Sequence, residues 1–408
     1  MVVKKALSYY SFSLVNAIIS LITVVYLTRV LVPEEYGFLG LFAVLVFFMS
    51  PLIGFNAMNL VGVNYVSLDR DHYHKYRNAY VSFALVIFAA LAVLTYGVAA
   101  AFMEEYLFLS LLTLFIALNR FLTAIHSAEL VQEHRAQAYG VLNSVTVFII
   151  LLATVVFVSL LDMSWEGRLL AVFFVELVMV VYRLYRHSDI GTTFRFAWDR
   201  VEIRQIVIFG FPMFFALVLS WVIFQSDTII VLNFFSLADV GLYTVAYALG
   251  AFLKQINQAV TNAVVPKIYK ALREGRGGGL IRKYNLYYSS FILAIAALAA
   301  LFFHFFADLI LGDAYAGAGG IIGIIAFAFA FNGIYGTSGL VLNYYKMNVL
   351  KSKMLFVCAA SNLILSLLLI PILGLTAPAW GTLLSFVILA GLSYVYSRKI
   401  MLEKDIAE

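Results

Sequence analysis

Polar side chains recur at helical spacing inside strongly apolar segments of the chain. The clearest series follows the spacing i, i+3, i+4, i+7 and i+8 and consists of Lys254, Asn257, Gln258, Thr261 and Asn262. Positions with this spacing share one face of a helix. Ammonium and amide groups on one face can bind anions and hydroxyl-bearing solutes, and in lipid they must face protein or water. We therefore expect this face to line a polar path.

Four other apolar segments carry polar side chains at related spacings. They contain Asn119, Arg120, Thr123, His126 and Ser127; Ser13, Asn16, Ser20 and Thr23; Asn56 and Asn59; and Asn332, Tyr335, Gly339 and Asn343. Ser, Thr and Asn also hold membrane helices together, at about 0.6 kcal/mol for each contact. For the segments of Asn16, Asn56 and Asn332, packing and lining of a path both remain open.

Three charged residues lie deep inside apolar segments: Arg120, Asp227 and Lys254. Each costs about 2.5–3.5 kcal/mol at the centre of a bilayer, which favours ion pairing, a water-filled path, or both. A structural pair of Asp227 with Lys254 or Arg120 is one interpretation. Glu176 is either an interhelical hydrogen-bonded acid or an ion site. If transport is coupled to protons or sodium, Asp227 and Glu176 are the candidate sites, because binding either ion changes a carboxylate's charge.

The composition predicts the elements that position these residues. Of the 408 residues, 64% are hydrophobic and 12% charged, whereas a soluble domain is about half apolar and a quarter charged. Apolar runs of about 20 residues predict an all-α integral membrane protein. Twelve spans are expected, at about 6–30, 37–66, 78–101, 106–128, 139–161, 168–186, 205–234, 240–266, 284–307, 315–345, 352–372 and 377–397.

The basic residues predict the orientation and the division of the chain. Nearly all 27 Lys and Arg residues lie at the termini and in alternate breaks, which places both termini in the cytoplasm. The most basic break, 187–204, is predicted to link two six-helix halves, 1–186 and 205–408. Gly37 and Gly241 hold equivalent positions at the start of the second helix of each half. Because six is even, the two halves run parallel, and a substrate path is expected between them.

Other kinds of site find little support. The single cysteine, Cys358, allows neither an internal disulfide nor a cysteine-based metal cage. The glycine-rich stretch 275–279 lacks the Lys-Ser/Thr of a phosphate loop and is predicted to be a linker. No metalloprotease motif or nucleophile elbow occurs, so we expect no enzyme, no metal site, no cofactor beyond a coupling ion, and no nucleic-acid partner.

Four stretches resemble the polysaccharide-transporter, or Wzx-type O-antigen flippase, family of the multidrug/oligosaccharidyl-lipid/polysaccharide (MOP) superfamily. They are LTRVLVPEEYG at 27–37, DMSWEGR at 162–168, DTII at 227–230 followed by VGLY at 240–243, and SNLI at 361–364 continuing to Gly374. Val32 and Ser164 each replace a glycine that is usual in the family. Arg29, Arg168 and Asp227 match family motif positions.

This resemblance implies a MATE-like fold in which two six-helix bundles form a V around a central cavity with alternating access. It also implies a substrate, an undecaprenyl-pyrophosphate-linked oligosaccharide carried from the inner to the outer leaflet of a bacterial or archaeal cytoplasmic membrane. The implied partners are this lipid-linked glycan and membrane lipids, with other surface-polysaccharide assembly proteins as further candidates. Arg29 joins Lys254, Arg120 and the Asn and Gln residues as a candidate for binding the substrate.

Two alternative functions remain open at this point. A cation-coupled multidrug exporter of the same superfamily would also have twelve helices, but its cationic substrates favour an acidic cavity, and Arg120 and Lys254 oppose that. A membrane-embedded polysaccharide polymerase or glycosyltransferase would need an active site at a membrane face, usually on a long loop, and the predicted external loops are short.

Overall fold

The computed structural model describes residues 2–102, 104–133, 135–186, 194–275 and 278–404. These residues form helices and contain no strand, which confirms the predicted all-α class. The helices of the first half are α1 Val2–Val30, α2 Pro33–Ile53, α3 Asn59–Ser67, α4 Arg70–Phe102, α5 Leu107–Gln132, α6 Ala136–Val155 and α7 Ser164–Arg186. Those of the second are α8 Arg200–Phe234, α9 Leu237–Gly250, α10 Leu253–Arg273, α11 Gly278–Leu311, α12 Ala318–Ser338, α13 Leu340–Tyr344, α14 Asn348–Leu373 and α15 Ala377–Glu403.

Each predicted span coincides with one helix or with two consecutive helices. By length and composition, ten apolar stretches of the described residues could cross a membrane, and the last of them, Asn348–Glu403, contains both α14 and α15. Helix α7 is not among the ten because charged residues recur along it. The chain is a multi-pass membrane protein, and the number of twelve spans stays a prediction.

Three predicted spans are broken, and the prediction of one continuous helix is wrong for each: 37–66 forms α2 and α3, 240–266 forms α9 and α10, and 315–345 forms α12 and α13. The break in 37–66 has an identifiable cause. Pro51 and Gly54 weaken the helix because proline lacks an N–H and glycine is conformationally free. After the end of α2, Asn56 has a φ of 50°, and its backbone N–H bonds to the Pro51 carbonyl at 2.7 Å. The side chain of Asn56 then donates to the Met213 carbonyl at 2.5 Å. A contact distant in sequence therefore fixes this break.

The described chain divides into two compact units. The N-terminal unit comprises Met1–Thr23 and Phe38–Trp221, and the C-terminal unit comprises Val24–Gly37 and Val222–Glu408. The predicted domain boundaries at 186/187 and 204/205 stay a prediction, and residues 187–193 of the predicted linker lie outside the described residues.

The rest of the predicted linker is ordered against the N-terminal unit. The backbone N–H of Ala197 donates to the Ser82 hydroxyl at 2.9 Å, and the Asp199 carboxylate accepts from the N–H groups of Val201 and Glu202 at the start of α8. Lys75 lies 2.8 Å from Asp199. The hydrogen bond from Lys75 and those from the backbone hold the pKa of Asp199 below its usual value. This segment therefore caps α8.

In the C-terminal unit, the first turns of α2 and α9 approach each other closely. A Cβ atom on Gly241 would overlap the backbone carbonyl of Pro33, and one on Gly37 would overlap that of Leu237. Only glycine permits this distance, as at other close crossings of membrane helices. The two glycines that hold equivalent positions in the sequence halves thus lie at one helix contact. Helix α9 starts with a capping box in which Ser236 and Asp239 exchange hydrogen bonds of 3.2 and 3.0 Å.

Candidate functional site

The C-terminal unit holds a buried carboxylate among hydroxyl groups. Asp227 on α8 is 1% exposed. Its Oδ2 accepts from the Tyr243 hydroxyl of α9 at 2.7 Å and from Thr382 Oγ1 of α15 at 2.6 Å. Its Oδ1 has no hydrogen-bond partner among the described residues. A buried carboxylate with an unsatisfied oxygen is unfavourable, so this group is suited to binding a proton or a small cation.

Further oxygen atoms surround Asp227. Asn362 on α14 donates through Nδ2 to Thr382 Oγ1 at 2.8 Å, and the Ser226 hydroxyl lies 3.2 Å from Asn362 Oδ1. We call Asp227, Tyr243, Asn362 and Thr382 the Asp227 cluster. Carboxylate, amide and hydroxyl oxygens are the donors that hard cations prefer.

The sequence-based alternative that Asp227 pairs with Lys254, which lies in the same unit, is wrong. Among the described residues of the C-terminal unit, no basic side chain lies at ion-pair distance from Asp227. Arg120 instead pairs with Glu176, and the Lys254 ammonium lies 4.8 Å from the centre of the Phe224 ring. Asp227 is not part of a series of polar residues at helical spacing, so the sequence did not predict which neighbouring helices its side chain contacts.

The polar face of α10 separates into two groups in the structure. Lys254 and Gln258 are exposed. Asn257 is buried, where it donates to the Phe329 carbonyl at 2.7 Å and accepts from the Tyr288 hydroxyl at 2.6 Å. Asn257 therefore joins α10 to α11 and α12, whereas Lys254 and Gln258 remain accessible. The side chain of Asn262 lies outside the described ones.

Arg120 and Glu176 form an ion pair between α5 and α7 of the N-terminal unit. Arg120 Nε lies 3.2 Å from Glu176 Oε1, and the two side chains are 50% and 13% exposed. This contact supports the interhelical interpretation of Glu176. The neighbouring Asn119 is 5% exposed, and its Nδ2 has no hydrogen-bond partner among the described residues.

Arg29 caps a helix in the C-terminal unit. Its Nε donates to the Ile310 carbonyl at 3.0 Å, and its Nη2 donates to the Leu309 carbonyl. These are the last carbonyls of α11, where a cation also interacts favourably with the helix dipole. The family-motif arginine thus has a structural role visible in the fold. Arg168, which also matches a family motif position, donates a hydrogen bond to Thr154 Oγ1 at 2.6 Å.

The remaining predicted asparagines lie in different local surroundings. Asn16 is half-buried, and its Oδ1 lacks a partner among the described residues. Asn56 bonds to the Met213 carbonyl, Asn59 is exposed at the start of α3, and Asn332 is half-buried on α12.

Sequence analysis missed a buried ionic network in the N-terminal unit. Arg77 on α4 and Glu129 on α5 are 2% and 7% exposed at the side chain, with Nη1 and Oε1 3.6 Å apart. Glu129 also accepts from the Tyr73 hydroxyl at 2.8 Å, and His126 Nδ1 lies 4.0 Å from its other oxygen. The i, i+3 spacing of His126 and Glu129 was an available signal. Arg77 falls in the break between the predicted spans 37–66 and 78–101, but the structure places it in the first turns of α4.

Comparison with solved structures defines the class of the fold. The chain is similar to an inward-facing MATE family multidrug resistance transporter of the MOP superfamily, with a TM-score of 0.72, 13% identity and coverage of 98% of both chains. It is also similar to the lipid II flippase MurJ in an inward closed conformation, with a TM-score of 0.69, 15% identity and coverage of 98% of this chain and 89% of MurJ. A Vibrio cholerae MATE transporter in a bent form matches with a TM-score of 0.59 and 13% identity, over 98% of each chain. The predicted MOP fold is confirmed.

Residues 2–272 match the model of the polysaccharide biosynthesis protein family, and the chain belongs to that family. A Haemophilus influenzae protein named for the Lsg locus is 30% identical over 111 residues, which make up 27% of this chain and 28% of that relative. The chain therefore aligns with about a quarter of that relative's length. The family predicted from the four sequence stretches is confirmed.

Proposed function

We propose that this protein flips an undecaprenyl-pyrophosphate-linked oligosaccharide, a repeat unit of a surface polysaccharide, from the inner to the outer leaflet. The carrying observation is an exposed cation, Lys254, on a helix of a multi-pass chain that belongs to a polysaccharide biosynthesis family. The fold shared with the lipid II flippase MurJ adds support.

The exposed groups of α10 suit such a substrate. The Lys254 ammonium can form an ion pair with a pyrophosphate. The amide of Gln258 lies one turn later on the same helix face, where it can form hydrogen bonds with sugar hydroxyls. The polyprenyl tail can remain in lipid. With the cytoplasm negative, moving two negative charges outward is favourable by about 4–5 kcal/mol per 100 mV. The membrane potential alone can therefore drive the export.

The Asp227 cluster is the proposed site for a coupling ion, either a proton or sodium. The support is the unsatisfied Oδ1 and the surrounding hydroxyl and amide oxygens. Glu176 also has an oxygen, Oε2, without a hydrogen-bond partner among the described residues, but it is the weaker candidate because Arg120 already compensates its charge. In this proposal the protein resides in a bacterial or archaeal cytoplasmic membrane with both termini in the cytoplasm, and acts beside other surface-polysaccharide assembly proteins.

A cation-coupled drug exporter is the second candidate, favoured by the TM-score of 0.72 to a MATE transporter. Its cationic substrate would need an accessible carboxylate, but Asp227 is buried and Glu176 is paired. The polymerase or glycosyltransferase alternative requires a long loop for an active site. The described breaks at 31–32, 161–163, 235–236 and 374–376 are all short.

Reconstitution in proteoliposomes tests the proposal. A lectin or glycosidase added outside measures how fast a lipid-linked oligosaccharide reaches the outer leaflet. We expect flipping by the wild type, strong loss in Lys254→Ala, and partial retention in Lys254→Arg, because arginine keeps the positive charge. Normal flipping by well-folded Lys254→Ala would return Lys254 to a packing role. Uptake of a cationic dye without glycan flipping would instead support the exporter.

Two variants, each of which removes the charge of one carboxylate, test the proposed ion coupling. Asp227→Asn keeps the shape of the side chain and should fold, yet lose the stimulation of flipping by an imposed proton or sodium gradient. Glu176→Gln removes the same charge from a membrane carboxylate, and its gradient response should persist. Unchanged stimulation in Asp227→Asn would refute the Asp227 cluster as the coupling site.

A further inference from the structure

A separate cavity of about 90 Å³ lies where the start of α11 meets the end of α15 in the C-terminal unit. A single water needs roughly 15 Å³ by the same measure, so the cavity accommodates a polyatomic group. Its polar lining includes Arg282 and Asn285 from α11 and Tyr394, Ser397 and Arg398 from α15. None of these residues belongs to the proposed transport machinery.

The cavity is positively charged. Arg282 and Arg398 are both exposed, and neither has an ion-pair partner among the described residues. The nearby Glu403 is instead 3.8 Å from Lys399. The dipoles of the start of α11 and the end of α15 have opposite signs here, so the positive charge comes from the two arginines. An anion with several oxygens, such as a phosphate diester, suits two guanidinium groups because each offers a fork of N–H donors.

A buried amide in the cavity also lacks a partner. Asn285 is 8% exposed, and its Oδ1 has no hydrogen-bond partner in the described part of the chain. A buried polar atom without a hydrogen bond is unfavourable. A hydroxyl or amine of a bound molecule would satisfy this acceptor. The cavity therefore selects for a ligand that combines an anionic phosphate with a hydrogen-bond donor.

The level of the cavity in the membrane, close to the headgroups, indicates that a lipid supplies that phosphate. Helix α11 has 34 residues and is roughly 50 Å long at 1.5 Å per residue, well beyond the roughly 30 Å hydrocarbon core. Its first turns therefore lie near the headgroups. Leu286 and Tyr287 on α11 are 64% and 71% exposed, and Val395 and Leu402 on α15 are 61% and 64% exposed. Apolar surface for acyl chains thus adjoins the cationic cavity.

We propose that this cavity binds the headgroup of an anionic glycerophospholipid of the phosphatidylglycerol type. The phosphate interacts with Arg282 and Arg398, and a glycerol hydroxyl donates to Asn285. The bound lipid is a resident of the C-terminal unit that ties the ends of α11 and α15, and it is distinct from the transported glycan.

The test measures phosphatidylglycerol retained by the full-length protein after detergent washing, by native mass spectrometry. Two cavity arginines at about 1 kcal/mol each near a membrane surface correspond to roughly 30-fold weaker retention in Arg282→Gln/Arg398→Gln. The control Lys283→Gln/Lys399→Gln removes the same charge from adjacent positions outside the cavity lining, and it should retain the lipid. Met401→Trp, which fills the cavity without a charge change, should also lose it.

Three results would overturn the proposal. Equal loss in both double variants would indicate general surface charge. Full retention in the arginine double variant and in Met401→Trp would show that the cavity does not hold the lipid. Displacement by inorganic phosphate as effective as by phosphatidylglycerol would assign the site to free phosphate. Lys254→Ala should retain the lipid whether or not it flips glycan, which separates this site from the proposed function.

Discussion

The buried Arg77–Glu129 pair leads to a quantitative stability prediction. The side chains are 2% and 7% exposed and 3.6 Å apart. At that distance, and with an effective dielectric constant of about 20, two unit charges attract by about 5 kcal/mol. Arg77→Met keeps an apolar stem but leaves Glu129 buried without its cation, and such changes cost about 3–5 kcal/mol. We expect a loss of stability of this size in the N-terminal unit.

Intrinsic fluorescence during heating measures this loss. Trp165, Trp198 and Trp221 lie in the N-terminal unit, and of the four tryptophans only Trp380 lies in the other. With an unfolding entropy of about 2.1 cal/mol/K per residue and a unit of roughly 200 residues, the expected drop in Tm is roughly 7–12 °C.

A double variant and a surface control make this test specific. Arg77→Met combined with Glu129→Gln removes both charges and should recover much of the loss, because the two residues are coupled. Lys75→Met breaks the exposed contact to Asp199 and should leave the Tm nearly unchanged, because exposed ion pairs contribute little to stability. An unchanged Tm in Arg77→Met, or a double variant no more stable than the single one, would refute the reasoning.

Three further predictions concern packing, Arg29 and topology. Gly241→Ala should destabilise the protein by about 1–3 kcal/mol in thermal unfolding, because the added methyl group meets backbone atoms. The control Gly391→Ala places its methyl group in open space and should not destabilise the protein. Equal Tm values for the two variants would contradict the close contact. Arg29→Met should cost roughly 1 kcal/mol as a lost helix cap while the folded protein keeps flipping glycan; abolished flipping at normal stability would assign Arg29 to the substrate. In a cysteine-free background, a cysteine at Asp313 should react with an impermeant thiol reagent from outside intact cells and one at Arg70 should not; labelling at Arg70 would reverse the orientation.

The apolar runs were sufficient to predict the helices, because a span of about 20 apolar residues has few alternatives in a membrane. They did not predict the break after α2, because the bond from Asn56 to Met213 joins residues far apart in sequence. The capping role of Arg29 was hidden for the same reason, since its acceptors lie on α11.

The candidate site was predicted less completely than the fold. Helix periodicity correctly placed Lys254 and Asn257 on one helix, but it cannot tell which part of that helix packs against α11 and α12. Asp227 was recognised as unusual, yet its hydroxyl partners come from α9 and α15. Arg77 fell outside the predicted span 78–101, because charged residues near the end of a span resemble a cytoplasmic break. These contacts depend on tertiary packing, which a single sequence does not encode as a local pattern.

The most direct test of the central claim compares two substrates that carry the same oligosaccharide in the same proteoliposomes. One is linked to the polyprenyl chain through pyrophosphate, and the other through a neutral linker. If Lys254 binds the anionic group, the wild type should flip the pyrophosphate-linked glycan faster than the neutral one. This difference in rate should disappear in Lys254→Ala. Equal rates for both substrates in the wild type, or an advantage that persists in Lys254→Ala, would contradict the account.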